Sequence, residues 1–128
     1  MTRPDAKPAI DLQPHGRADV LAVMETEIYA ADVTERVSRA MRQAIDSSTA
    51  TAFIMDLSRV TYLTSGALGM VINLRAHLAD RGYVLALAGA EGEVAHIIEC
   101  THLHEIMPVF KTVADALRLL KDPCGGAP

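Results

Sequence analysis

Apolar positions along the chain fall into two rhythms that alternate. The stretches 19–25 ("DVLAVME"), 52–57 ("AFIMDL") and 83–89 ("YVLALAG") are short and nearly continuous in apolar residues. Strands buried on both faces read this way. Between them the spacing changes. Over 32–45, Val33, Val37, Ala40, Met41, Ala44 and Ile45 recur at three and four, which predicts a helix. Asp32 and Glu35 are spaced there as a capping box, with Asp in place of Ser or Thr. A second helix is predicted from Gly66 to Ala79, with Leu68, Val71, Ile72, Arg75 and Leu78 approximating one face and Gly82 placed to end it. Residues 93–101 read as a third helix, with Val94, Ile97 and Ile98 inward. A short strand follows at 106–110, where Pro108 argues for an edge or an end. Residues 112–121 form a closing helix, with Thr112 and Asp115 at capping-box spacing. A further short strand is expected around Ala9 to Leu12. Strand and helix in strict alternation predict an α/β fold: a single-layer, mixed, largely parallel β-sheet with about four helices. The predicted organisation is a flexible N-terminal segment over 1–17, one domain over 18–121, and a C-terminal tail over 122–128.

Composition narrows the functions open to such a domain. The chain has 128 residues, enough for one domain that buries roughly two-thirds of its unfolded surface. It has two Phe, three Tyr and no Trp, so the core must be built from aliphatic residues and Met. Twelve basic against sixteen acidic residues leave a net charge of −4. With no basic stripe and few aromatics on which to stack bases, nucleic acid is not an expected partner. No stretch has the ~18 apolar residues of a membrane span, and the N-terminus lacks the apolar core of a signal peptide. Cys100 and Cys124 do not make a disulfide framework and read as reduced thiols. A cytoplasmic location is the resulting expectation.

The informative chemistry sits at the mouth of the second helix, in "LTSGALGM". A helix N-terminus carries unpaired N–H groups and partial positive charge. Thr64 or Ser65 can cap it, worth about 1 kcal/mol. Gly66 and Gly69 leave backbone accessible. The segment is neither a phosphate loop of the GxxxxGK[ST] type nor a GxSxG nucleophile elbow.

The longer stretch "FIMDLSRVTYLTSGALGMVINL" resembles the central signature of the STAS domain, found in anti-sigma factor antagonists and in sulfate-transporter tails. The family pattern runs roughly D-L-S-x-V-x-(F/Y)-(I/M/L)-D-S-S-G-L-G. Asp56, Leu57, Ser58, Val60, Tyr62, Leu63, Ser65, Leu68 and Gly69 match it. The order of elements over about 19–120 agrees as well. The resemblance implies a STAS-like fold and a bacterial regulatory binding module. The partner it implies is an anti-sigma factor that is also a serine kinase, with a phosphatase reversing phosphorylation of a serine at the start of this helix. A phosphoryl group adds about −1.5 to −2 charges, enough to disrupt a packed interface.

Aligned without gaps, the customary phosphoserine position falls on Gly66, and its acidic neighbour falls on Thr64. Three readings stay open: Ser65 or Thr64 as a shifted acceptor, binding without a phospho-switch, or a plain helix cap. The family's Gly-Glu-x-Asp loop also departs, reading "METEIYAAD", with Thr26 and Tyr29 at positions expected to be Gly and Asp. The candidate partner-binding residues are Tyr29, Ala31, Gly66, Gly69, Met70 and Asn73, with Met70 and Asn73 expected to point outward beside Gly66.

Other clusters carry less. His96, Cys100, His102 and His104 include a pair at helical spacing, but the set reads as an exposed polar edge and no metal site is expected. Arg39 and Arg42 lie on a charged helix face that could meet an acidic partner. No catalytic constellation and no cofactor fingerprint is present, so neither enzymatic activity nor a cofactor is expected. The competing function is a nucleotide- or lipid-binding accessory module of a transporter.

Overall fold

The computed structural model describes residues 9–120. Its main sheet has five strands in the order β1-β2-β4-β6-β7. These are β1 (Ile10–His15), β2 (Ala18–Val23), β4 (Ala52–Asp56), β6 (Val84–Ala88) and β7 (Val109–Phe110). β1 pairs antiparallel with β2 through the turn at Gly16, and every other pairing is parallel. A separate two-stranded parallel ribbon joins β3 (Glu27–Ile28) to β5 (Tyr62–Leu63). The helices are α1 (Ala31–Asp46), α2 (Ser65–Ala79), α3 (Gly92–Cys100) and α4 (Val113–Leu120). A 3₁₀ turn, Leu103–Glu105, follows α3. This is the expected mixed, mostly parallel sheet with four helices. The strand expected near Ala9 to Leu12 is β1. Residues 10–15 of the segment expected to be flexible therefore form a sheet strand. Residues 1–8 and the predicted tail at 122–128 lie outside the described residues.

The continuous apolar runs form central strands because both faces of the sheet are covered. Leu21, Val23, Phe53, Met55, Leu85 and Leu87 face one side, where Val37 and Met41 of α1, Leu74 and Leu78 of α2, and Val94 and Ile98 of α3 close over them. Val20, Ile54 and Ala88 face the other side, against Ala116, Val113 and Leu117 of α4. Asp19 is the one buried charged residue among those described. It accepts a hydrogen bond from Ser48 Oγ, which in turn accepts one from the Ala50 N–H (3.0 Å). The loop after α1 is thereby tied to the start of β2.

Local details correct several expectations. α1 is capped by Ala30, without a side-chain bond, so the Asp32–Glu35 capping box does not form. The cap falls two residues before the expected one, and Asp32 instead sits in the first turn, where its charge suits the helix dipole. The Thr112 cap does form, with its Oγ1 accepting from Asp115 N–H (3.0 Å). On α2, Ile72 is 40% exposed whereas Met70 is 7% exposed, the reverse of the predicted facing. α2 is apolar on nearly every side, so spacing alone does not define its inner face. The packing of α1 beside it does: Met70 belongs to the core that α1 closes.

Candidate functional site

Thr64 ends the β3–β5 ribbon and begins α2. Its backbone N–H donates to Ile28 O (3.1 Å) and its Oγ1 accepts from Ala67 N–H (3.3 Å), so it is the N-cap and is half-buried. Ser65, the first helical residue, is exposed, and its hydroxyl makes no hydrogen bond among the described residues. The two candidate acceptors are therefore not equivalent. Thr64 holds the helix, while the hydroxyl of Ser65 is free.

The ribbon presents a polar-aromatic face beside this point. Ile28 and Leu63, paired across it, are buried. By strand alternation Glu27, Tyr29 and Tyr62 take the opposite face. Tyr29 is 60% exposed and Tyr62 44%. Tyr62 matches the family signature but is not among the candidate partner-binding residues read from sequence. The signal was its place two residues before Thr64, on the same side of an extended segment.

α1 and α2 both cross between parallel strands and so run in the same direction. Their C-terminal ends meet where Arg81 pairs with Asp46 (3.1 Å). Between them lies an open groove of about 580 Å³. Gly66, Gly69, Met70 and Asn73 supply one wall, and α1 supplies the other with Thr34, Ser38, Arg39 and Arg42 among its residues. Four of the six residues predicted to bind a partner are thus gathered in one place. Met70 contributes from a largely buried position, as the groove's floor. Tyr29 and Ala31 are exposed but do not line the groove; they lie on the ribbon and at the start of α1. Arg39 pairs with Glu35 (3.5 Å), while Arg42 has no ion pair among the described residues.

Both groove glycines lack a structural requirement. Neither has positive φ. A Cβ on Gly66 would meet only Thr64 Oγ1, at 3.6 Å, and one on Gly69 would meet nothing within 4 Å. Each costs the helix about 1 kcal/mol relative to Ala. What they provide is bare backbone facing open space.

The predicted histidine–cysteine cluster is divided. Cys100 Sγ lies 3.4 Å from His96 Nε2 on the last turn of α3, and both are exposed. His102 and His104 instead gather with Glu105. Among the described residues no helix is long and apolar enough to cross a membrane.

A family model of the STAS domain matches residues 11–116. The chain belongs to the STAS domain family. A STAS-domain containing protein of Pseudomonas aeruginosa is 32% identical over 57 residues, covering 44% of this chain and 56% of that protein. The match thus spans little more than half the length of that curated relative. Among solved structures, an anti-sigma factor antagonist from Mycobacterium paratuberculosis superposes with a TM-score of 0.71 at 23% identity, covering 95% of this chain and all of that one (100%). The antagonist SpoIIAA in its unphosphorylated form gives 0.70 at 19%, covering 94% and 99%. The Bacillus SpoIIAA structure in its phosphorylated form gives 0.61 at 19%, covering 85% and 96%. A sulfate transporter family protein from Wolinella succinogenes gives 0.68 at 18%, covering 94% and 96%. At these identities the likeness is one of fold. This STAS domain has the four helices and mostly parallel sheet of those neighbours.

Proposed function

We propose that this STAS domain is a regulatory protein-binding module, an anti-sigma factor antagonist in a partner-switching system. Its partner is a kinase-type anti-sigma factor, and a phosphatase resets it. The observation that carries this reading is the pair of glycines on the first turns of α2. They give up helix stability without any steric or conformational need and line a groove beside a free serine hydroxyl. Such an arrangement suits close approach by another protein's surface. Several structural neighbours are antagonists by name, and SpoIIAA among them was solved in unphosphorylated and phosphorylated forms. Phosphate on Ser65 would place a doubly charged group at the rim of the surface, where desolvation and repulsion release a bound partner.

The test uses a serine-kinase anti-sigma factor from the same genome. Calorimetry with Asn73→Arg and Gly69→Leu is expected to show affinity lowered by about tenfold or more, equal to about 1.4 kcal/mol. Melting temperatures should stay near that of the wild type, because both positions are open. Unchanged affinity in both variants overturns this surface. Incubation with the kinase and ATP, followed by mass spectrometry, is expected to place phosphate on Ser65 and not on Thr64.

A second reading follows from the groove's cations. Arg42, which has no ion pair among the described residues, could meet an anionic small ligand such as a nucleotide or lipid headgroup, the role of a transporter accessory module, although Glu35 and Asp46 line the same groove and Arg39 is paired with Glu35. The Wolinella neighbour bears a transporter-family name.

A further inference from the structure

The α3–β7 corner lies away from the groove and takes no part in the proposed binding surface. Three ligating side chains converge there within four residues: His102, His104 and Glu105, all exposed. One ligand atom from each lies within 4.8 Å of the other two. His102 brings this about. It adopts the left-handed conformation (φ 57°, ψ 29°) as the chain leaves α3, and the 3₁₀ turn that follows returns His104 and Glu105 to the same side. The geometry points to a site for a divalent transition-metal ion of the zinc type, held by His102, His104 and Glu105.

The distances suit such an ion. Imidazole nitrogens and a carboxylate oxygen bind zinc at about 2.0–2.2 Å, so two ligand atoms on one tetrahedral ion stand about 3.3 Å apart. His102 Nδ1 and Glu105 Oε2 touch directly at 2.7 Å, a contact that an ion entering between them would replace by opening it about half an ångström. Two imidazoles on a single ion have ring centroids about 5–6 Å apart at those bond lengths. The His102 and His104 rings are 5.9 Å apart, tilted by 38°. Imidazole with carboxylate favours zinc, nickel or copper over magnesium or calcium. With three protein ligands, one coordination position stays open to water or to a donor on another molecule. His96 and Cys100 form their own pair on α3 and are not needed.

The experiment titrates Zn²⁺ into tag-free protein, by calorimetry and by competition with a chromophoric chelator. One ion per chain is expected. His104→Ala and Glu105→Gln should each weaken binding by about tenfold or more, since even residues that only support a ligand cost 10–100-fold when removed. His102→Asn should do the same; Asn accepts the left-handed conformation, so the turn is kept. The His96→Ala/Cys100→Ser double variant should bind as the wild type does. Circular dichroism melts of all variants check that folding is unchanged. Absence of saturable one-to-one binding overturns the site. So does binding that survives His104→Ala undiminished, or binding that the double variant abolishes.

Discussion

Thr64, Ser65 and Gly66 are consecutive, yet each answers to a different constraint. Thr64 satisfies an otherwise unpaired N–H of α2, so Thr64→Ala should cost about 1 kcal/mol in urea unfolding. Ser65 is exposed and its hydroxyl makes no hydrogen bond among the described residues, so Ser65→Ala should stay within about 0.5 kcal/mol of the wild type. Equal losses for the two would mean that the hydroxyls share the cap. Aligned without gaps, the second serine of the family signature would fall on Gly66. A side chain fits there: its Cβ would make only an ordinary contact, and serine is the better helix former by about 0.5 kcal/mol. Gly66→Ser should therefore fold with equal or slightly greater stability. Under the kinase it should offer a second acceptor beside Ser65, read as phosphate on residue 66. A destabilised Gly66→Ser would show that glycine is required by the fold, and the groove argument would lose its main support. The same stretch shows how far sequence reaches at this scale. A hydroxyl before an apolar helix was legible as a cap; which of two adjacent hydroxyls does the capping was not, because that depends on the ribbon bond from Thr64 N–H to Ile28 O. Burial of Asp19 was likewise invisible, since its partner Ser48 lies in a loop 29 residues away.

Elements were legible in proportion to the contrast in their patterning. α1 has a sharp apolar stripe, and Val37, Met41 and Ile45, all in the predicted helix, are its buried residues. β4 and β6 stood out as unbroken apolar runs between polar loops. β3 and β5, of two residues each, are too short for any period to show and exist because their backbones pair with one another. α2 lay between these cases: clear as a helix, ambiguous in its facing, because Leu, Val, Ile and Met surround it. The turn after β6 illustrates a constraint that belongs to packing between elements. Gly89 has φ +81°, and a Cβ there would lie 2.9 Å from Asp56 Oδ1 and 3.2 Å from the Ser58 backbone nitrogen. That carboxylate is fixed by accepting the Ser58 N–H (3.0 Å), and the Leu57 N–H donates to Ala88 O (2.8 Å). Gly82 has a similar φ of +77° but open space around it. Gly82→Ala should therefore cost only the left-handed penalty, about 1–2 kcal/mol. Gly89→Ala should cost that and more, about 2–4 kcal/mol, because backbone at the β4–β6 junction must shift. Denaturant midpoints of the two variants measure the difference. Equal losses would mean that the crowding relaxes at no cost.

Across the whole molecule the strand order decides what kind of site is available. In open α/β sheets a ligand crevice forms outside the carboxyl ends of the strands, where the strand order reverses and neighbouring helices pass to opposite faces. Here the parallel strands run β2-β4-β6-β7 without reversal, and α1, α2 and α3 cover the same face. No crevice opens between them. The carboxyl ends of the strands carry the ribbon and the start of α2, and beside them lies the groove along α1, open to solvent. Small-molecule sites typically bury 70–90% of their ligand. A nucleotide lying in this groove would keep much of its surface in water. At about 1 mM nucleotide, a dissociation constant of the same size stabilises by about 0.4 kcal/mol, a melting shift of about 2 °C for a domain of this length. A protein partner meets no such limit, since it can cover the groove, the Tyr29–Tyr62 face and Ser65 together. At about a hundredfold excess over its dissociation constant it stabilises by about 2.7 kcal/mol, or about 10 °C. Thermal melts with ATP, GTP and the anti-sigma kinase should therefore divide sharply by ligand size. A nucleotide shift above about 5 °C would require a pocket deeper than this topology builds, and would move the function toward the ligand-binding reading.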